Sequence, residues 1–278
     1  MIFALLSALA VALNGLAGGY ASRKLGVALV LAVAAPVSLL VAVGTLSAEP
    51  SPLGFRSVLL GLIAGISGGF GILMSYRALQ IGPIGIAAAI TSCTAVTVAS
   101  AWGLATEGGA SAGRLLAILL CLIAIGFVSY RKSTTKLQIS ATLFALGAGV
   151  IFGSFQVLMN ATEETDGWWP LVMVRAGVTV IAWGFLAHHV LSRGRPATLK
   201  LAPWGWGIPA LAGTMDALGN VFLILALRVE DLAVVAVVTS IAPAATALLG
   251  WLVLSERLSR IQVFGLAISI GALTLAAL

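Results

Sequence analysis

Charge is what this sequence has least of. Among 278 residues only 9% are Asp, Glu, Lys or Arg, whereas 60% are hydrophobic and the mean hydropathy is +1.13. A soluble domain carries about 25% charged residues, and so few charges cannot clothe a water-exposed surface of this size. Soluble enzymes, nucleic-acid binders and disordered chains are excluded. The net charge of +6 does not call for a nucleic-acid partner, because its basic residues flank apolar runs, where they report topology. Cysteine is scarce as well. Cys93 and Cys121 sit in separate apolar segments without CxxC spacing and read as small buried hydrophobes. The two histidines are the isolated pair His188-His189, which assembles no metal ligand set. Walker loop, dinucleotide fingerprint and nucleophile elbow are missing. No metal or other cofactor is expected, and no clustered acid, base or metal set supports an enzyme.

Long apolar runs fill the space that charge leaves. A spanning helix needs about 20 apolar residues, and lipid allows only helices or closed barrels. The runs do not alternate in polarity, so they predict helices. Ten spans are expected, over residues 2–19, 26–46, 58–79, 83–103, 112–130, 139–159, 170–190, 204–227, 231–254 and 260–278. The first lacks a basic leading segment and a cleavage site, and is expected to remain as a helix. Breakers fall between spans at Glu49-Pro50-Ser51-Pro52, Gly82-Pro83, Gly108-Gly109 and Arg193-Gly194-Arg195-Pro196. The connections leave no room for a soluble domain. Within the spans, 32 glycines and many alanines let helix backbones approach in lipid, which predicts a tight all-α bundle that contacts membrane lipid.

Basic residues distribute unevenly over the connections. Odd-numbered connections hold Arg23, Lys24, Arg77, Arg131, Lys132, Lys136, Arg193, Arg195, Lys200, Arg257 and Arg260, whereas even-numbered ones hold Arg56, Arg114 and Arg228. Positive loops stay in the cytoplasm. Both termini are therefore expected on the outer side of the inner membrane, together with the acidic stretch Glu163-Glu164-Thr165-Asp166.

Shifted by 148 positions, the chain resembles itself: Ala64-Gly65 meets Ala212-Gly213, Gly71 meets Gly219, Ala78-Leu79 meets Ala226-Leu227, and Thr91-Ser92 meets Thr239-Ser240. One residue further on, Trp102 meets Trp251 and Glu107 meets Glu256. Each half then holds five helices, and an odd number inserts the second copy upside down, the plan of many secondary transporters. The expected division is a first repeat over 1–130, a connecting loop over 131–138 and a second repeat over 139–278.

The stretch Tyr76 to Tyr130, and more clearly Leu225 to Leu273, resembles the EamA domain of the drug/metabolite transporter superfamily. The carrying residues are Ala226-Leu227, Thr239-Ser240-Ile241-Ala242-Pro243, Glu256-Arg257-Leu258, Gln262 and Gly265. Arg175 in Val174-Arg175-Ala176 resembles the arginine found early in the second helix of that domain. The first copy departs from the pattern at Ala35-Pro36, Thr94-Ala95 and Glu107-Gly108. The resemblance implies a ten-helix carrier of small metabolites or drugs, often an exporter.

Charges inside the hydrocarbon are costly and need a reason. Asp216 lies in the middle of the eighth span, sharing a face with Gly213, Gly219, Asn220 and Leu223 by three- and four-residue spacing. It is a candidate for binding a cationic group or a coupling proton, with Asn220 adding a hydrogen bond; the alternative is an ion pair with Arg175 that fixes helix packing. Arg175 is either such a structural partner or a bidentate clamp for a substrate carboxylate or phosphate. Together the two charges suit a zwitterion.

Asn14, Ser67, Tyr76 and Gln156, with Asn160, are further cavity candidates, each with an interhelical hydrogen bond as its alternative role. Trp168, Trp169, Trp204 and Trp206 fit an interfacial aromatic belt, Tyr76-Arg77 and Arg228 fit interface anchors, and Glu256 fits a local cap beside Arg257. The expected protein is a monomeric or homodimeric carrier of a small-molecule substrate. Its competitors are a multidrug or organic-cation exporter and a non-transporting membrane scaffold.

Overall fold

Many large apolar side chains face outward, while alanines fill much of the interior beside a few buried Leu, Ile and Val. Leu5, Leu40, Ile63, Leu119, Leu122, Val180 and Trp183 are exposed, whereas Ala4, Ala12, Ala42, Ala64, Ala78, Ala117, Ala145 and Ala212 are fully buried. A water-soluble fold rarely exposes so much apolar surface. The arrangement follows from lipid being as apolar as leucine, so that helices associate by close backbone packing rather than by hiding bulky side chains.

The computed structural model describes residues 1–48, 53–106, 112–130, 136–160, 167–193, 203–230, 235, 238–239, 241–256 and 258–277. Among these, the helices are α1 (Ile2–Leu25), α2 (Val27–Ala48), α3 (Phe55–Ile81), α4 (Ile84–Thr106), α5 (Ala112–Ser129), α6 (Lys136–Asn160), α7 (Trp169–Arg193), α8 (Gly207–Val229), α9 (Ala242–Leu254) and α10 (Arg260–Ala277). A 3-10 turn over Pro203–Trp206 leads into α8. Several expected features lie outside the described residues: the breakers at 49–52 and 107–109, Arg131 and Lys132, Glu163 to Asp166, Arg195 and Lys200, Ser240 and Arg257. So do the side chains of Arg114, Asn160, Arg193 and Trp204.

Seven described helices are long and apolar enough to cross a bilayer: α1, α2, α3, α4, α6, α7 and α8. The other three expected spans carry shorter apolar helices, at Leu115–Ser129, Ala242–Leu254 and Arg260–Leu275. Expected boundaries move outward in places. α1 continues six residues past position 19, carrying Arg23 and Lys24 into its last turn. α6 starts at Lys136, inside the expected 131–138 connection.

Two tight joints explain the short connections. Gly26 alone separates α1 from α2, at φ 82, a conformation that favours glycine, and its N–H donates to the Ser22 carbonyl. At the next joint Gly82 is extended, as a residue before proline must be, and its N–H donates to the Ala78 carbonyl at 2.9 Å.

Helix pairs from the two halves of the chain make most of the bundle: α3 packs on α6 and α7, α1 on α8, α2 on α7 and α8, α4 on α6, and α5 on α10. Glycine permits the closest of these. A Cβ on Gly65 would stand 2.3 Å from the Val174 carbonyl oxygen of α7, and one on Gly213 would stand 2.1 Å from the Ala34 oxygen of α2.

Candidate functional site

A cavity of about 790 Å³ occupies the middle of the bundle. α1 contributes Ser7, Val11, Asn14 and Gly15, and α3 contributes Gly68, Ile72, Ser75, Tyr76 and Leu79. α4 lines it from Ala88 to Ser100, α6 with Phe152, Phe155 and Gln156, and α7 with Val174, Arg175 and Val178. Asp216, Asn220 and Leu223 come from α8, Thr246 from α9 and Leu273 from α10, with Thr239 alongside. Apolar walls with a few convergent polar groups, in a volume within the usual range of about 300–1,000 Å³, are the form of a small-molecule site.

Asp216 and Arg175 meet in its wall. Asp216 stands nine residues into α8, about 14 Å along the axis. Its Oδ2 accepts from Arg175 Nη1 at 2.5 Å and from the Ser38 hydroxyl of α2 at 3.1 Å. Arg175 is 6% exposed and Asp216 is 22% exposed, and both line the cavity, the carboxylate more openly. Thr179 donates to the Arg175 carbonyl at 2.7 Å, and Asn220 donates its Nδ2 to the Asp216 carbonyl at 2.9 Å, leaving the Asn220 amide oxygen as an acceptor. The Nε–H of Arg175 is buried with no hydrogen-bond partner among the described residues. A buried unpaired donor is costly, and a ligand oxygen arriving there would satisfy it.

Below this pair, Tyr76 is 4% exposed and donates its hydroxyl to Asn14 Oδ1 at 2.8 Å. The interface-anchor reading of Tyr76 is therefore overturned: its side chain is buried inside the bundle, and its neighbour Arg77 is the exposed one. Arg77 bonds Gln80 locally. Gln156 lines the cavity; Ser67 does not, and Gly68 takes its place. A helix turns about 100° per residue, which carries Ser67 off the lining face. Sequence reasoning missed Ser7, whose hydroxyl donates to the Gly219 carbonyl at 2.8 Å, and Ser38. It also missed the buried lining residues Thr91 and Thr246. Hydroxyls in apolar helices carry little sequence signal, since they bond their own helix as readily as a neighbour, as Thr246 does to Ala242.

Away from the cavity, Arg228 lies over the ring of Trp168 at 4.9 Å, and Trp168 is buried in the bundle. Cys93 and Cys121 are buried and free. Among the described residues no group of His, Cys, Asp and Glu is placed to hold a metal ion. Glu256 departs from its expected local role. Its Oε1 accepts from Arg23 Nη2 at 2.6 Å, and its Oε2 accepts from the Ile84 N–H at 2.8 Å.

Apolar helices packed through glycine around a central, partly polar chamber define a multi-pass membrane protein with a small-molecule cavity. The family model described as "EamA-like transporter family" matches residues 139–278, half of the chain, and the protein belongs to that family, within the drug/metabolite transporter superfamily. A solved structure titled "Crystal structure of protein" shares the fold, with a TM-score of 0.62 at 15% identity over 98% of this chain and 96% of that one. No curated protein matches the sequence.

Proposed function

We propose that this protein is a secondary active carrier that moves a small polar or amphipathic metabolite, amino acid-like or related, across the inner membrane by alternating access. Export is the favoured direction, and a proton is the candidate coupling ion. The observation that carries the reading is the Arg175–Asp216 pair in the wall of the central cavity, with a guanidinium N–H that has no partner among the described residues. A ligand ammonium on the carboxylate and a ligand carboxylate on the guanidinium would each gain a charge-assisted bond. Asn220, Asn14, Tyr76 and Gln156 supply neutral hydrogen bonds around them.

Alternating access in this reading comes from two inverted five-helix repeats, over 1–130 and 139–278, rocking around the shared cavity. Paired contacts support it. Gly65 meets α7 as Gly213 meets α2, and Gly71 meets Ile151 and Phe152 of α6 as Gly219 meets Ala10 and Val11 of α1. These are the glycines that the 148-residue shift superimposes. With both termini on the outer side, the end of the bundle where α1 and α3 finish faces the cytoplasm.

The test is thermal stabilisation of the purified protein by amino acids, nucleosides, amines and sugars, followed by flux in proteoliposomes. A zwitterion that stabilises the wild type, and fails to do so in Asp216→Asn and Arg175→Ala, is the expected result. A protein that binds no class and carries no flux refutes the proposal and favours a scaffold. An organic-cation exporter would instead be stabilised by monovalent amines with Arg175→Ala neutral or better. Unchanged pH dependence of uphill transport in Asp216→Asn would remove the coupling role.

A further inference from the structure

One ion pair joins helix ends just beyond the residues that line the cavity. Leu79, whose carbonyl the pair holds, also lines the cavity, as does Ala88, one helix turn past the Ile84 N–H that the pair binds. Arg23, in the last turn of α1, donates Nε to the Leu79 carbonyl at 3.2 Å and Nη2 to the Gly82 carbonyl at 2.7 Å. Those carbonyls end α3, where the helix leaves acceptors unfilled. The same Nη2 reaches Glu256, whose other oxygen takes the first N–H of α4, a donor end that favours a carboxylate. Ser255, at φ 56, turns the chain so that Glu256 points back, and the Glu256 N–H donates to the Gly250 carbonyl at 3.2 Å. A Cβ on Gly250 would stand 3.1 Å from Glu256 Oε2. A single guanidinium and a single carboxylate thus tie the ends of α1, α3 and α4 in the first half to the end of α9 in the second.

We infer that Arg23 and Glu256 are the latch of a gate, broken and remade when the cavity opens at this end. The inference rests on reading the cavity as the chamber of an alternating-access carrier. Energetics distinguish this pair from the one in the cavity wall. Separating Arg175 from Asp216 would strand a guanidinium that is 6% exposed, and a buried charge without its partner is strongly unfavourable. Arg23 and Glu256 are 29% and 14% exposed at the bundle end, so each can rehydrate as the ends part. A half-wet pair with good geometry holds a closed state firmly enough to populate it and weakly enough to release it. Arg23 and Glu256 are positioning residues here, since neither lines the cavity.

Thiol accessibility tests the latch without any substrate. In a Cys93→Ala, Cys121→Ala background, Ser92→Cys reports from the cavity wall, and Lys24→Cys, exposed in the last turn of α1, marks the latch side. Vesicles of both orientations are treated with a membrane-impermeant maleimide. With the latch intact, Ser92→Cys is expected to label slowly from the side where Lys24→Cys labels fast. Arg23→Ala or Glu256→Ala should speed that labelling about tenfold or more, equivalent to about 1.4 kcal/mol. Glu256→Gln, which keeps an acceptor for Ile84, and Arg23→Lys, which keeps the charge, should fall between. Unchanged latch-side rates in alanine variants that melt as the parent does overturn the inference; should the alanine variants fail to fold, unchanged rates in the two conservative variants overturn it equally. Because no ligand is used, unchanged labelling overturns the latch and leaves the carrier reading standing, whereas absent binding and flux with a responsive pair overturns the carrier reading and, with it, the pair's part in a transport cycle.

Discussion

The guanidinium of Arg175 has one carboxylate beside it, and both sit where water is scarce. Asp216→Asn or Arg175→Ala alone is expected to lower unfolding free energy by about 3 kcal/mol, because each leaves a charge without its counterpart. The paired replacement Arg175→Met with Asp216→Leu should recover much of that loss, since neither charge remains to be desolvated. Denaturation in detergent measures the stability of all three, while ligand-induced stabilisation should be gone from every one. Recognition and packing are thereby separated. Tyr76→Phe removes a single neutral hydrogen bond to Asn14 and should cost about 1 kcal/mol, read in the same melts. Asp216 and Arg175 were legible in the sequence because a charge in an apolar run is rare enough to demand a cause. Ser38 and Ser7 were not, since a serine among alanines announces nothing and their partners lie 178 and 212 positions away. Arg23 and Glu256 looked like ordinary end-of-helix charges for the same reason: their meeting depends on a chain reversal at Ser255 that periodicity does not encode.

At the level of helices, glycine sets the distances. Gly65→Ala and Gly213→Ala should each cost about 3 kcal/mol, because the new methyl would collide with a neighbouring backbone carbonyl that cannot rotate away. Gly126→Ala meets nothing within 4 Å and should be neutral or gain up to about 1 kcal/mol from helix propensity. Thermal melts of the three variants check the contrast. Hydropathy located the helices well and their ends less well. Runs such as α1 and α6 continue past the last apolar residue because Arg23, Lys24 and Lys136 extend from the hydrocarbon edge and still favour helix. The glycine-to-backbone contacts were foreshadowed by the internal likeness, yet which helix each glycine would meet was not, because sequence likeness fixes correspondence and leaves packing partners free.

For the molecule as a unit, the main interhelical contacts run between the halves: α1 with α8, α3 with α6 and α7, α4 with α6, α5 with α10. Fragments 1–130 and 139–278 expressed separately should therefore be degraded, while the two expressed together should co-purify through an affinity tag on one of them. Recovery of either fragment alone as a stable, monodisperse species would contradict this packing. The joint at Gly26 and the joint at Gly82-Pro83 lie at the same end as the latch. The α1–α2 and α3–α4 hairpins accordingly turn at one face of the bundle.

The wall pair of α7 and α8 also has an electrical side. A group bearing one elementary charge gains or loses about 2.3 kcal/mol per 100 mV on crossing the membrane field. Arg175 and Asp216 form a bonded couple of opposite sign, so in the proposed alternating-access cycle the voltage would do almost no net work on them. Whatever current accompanies a turnover would then be set by the cargo and any ion riding with it, and a cargo with balanced charges would cross silently at any resting potential.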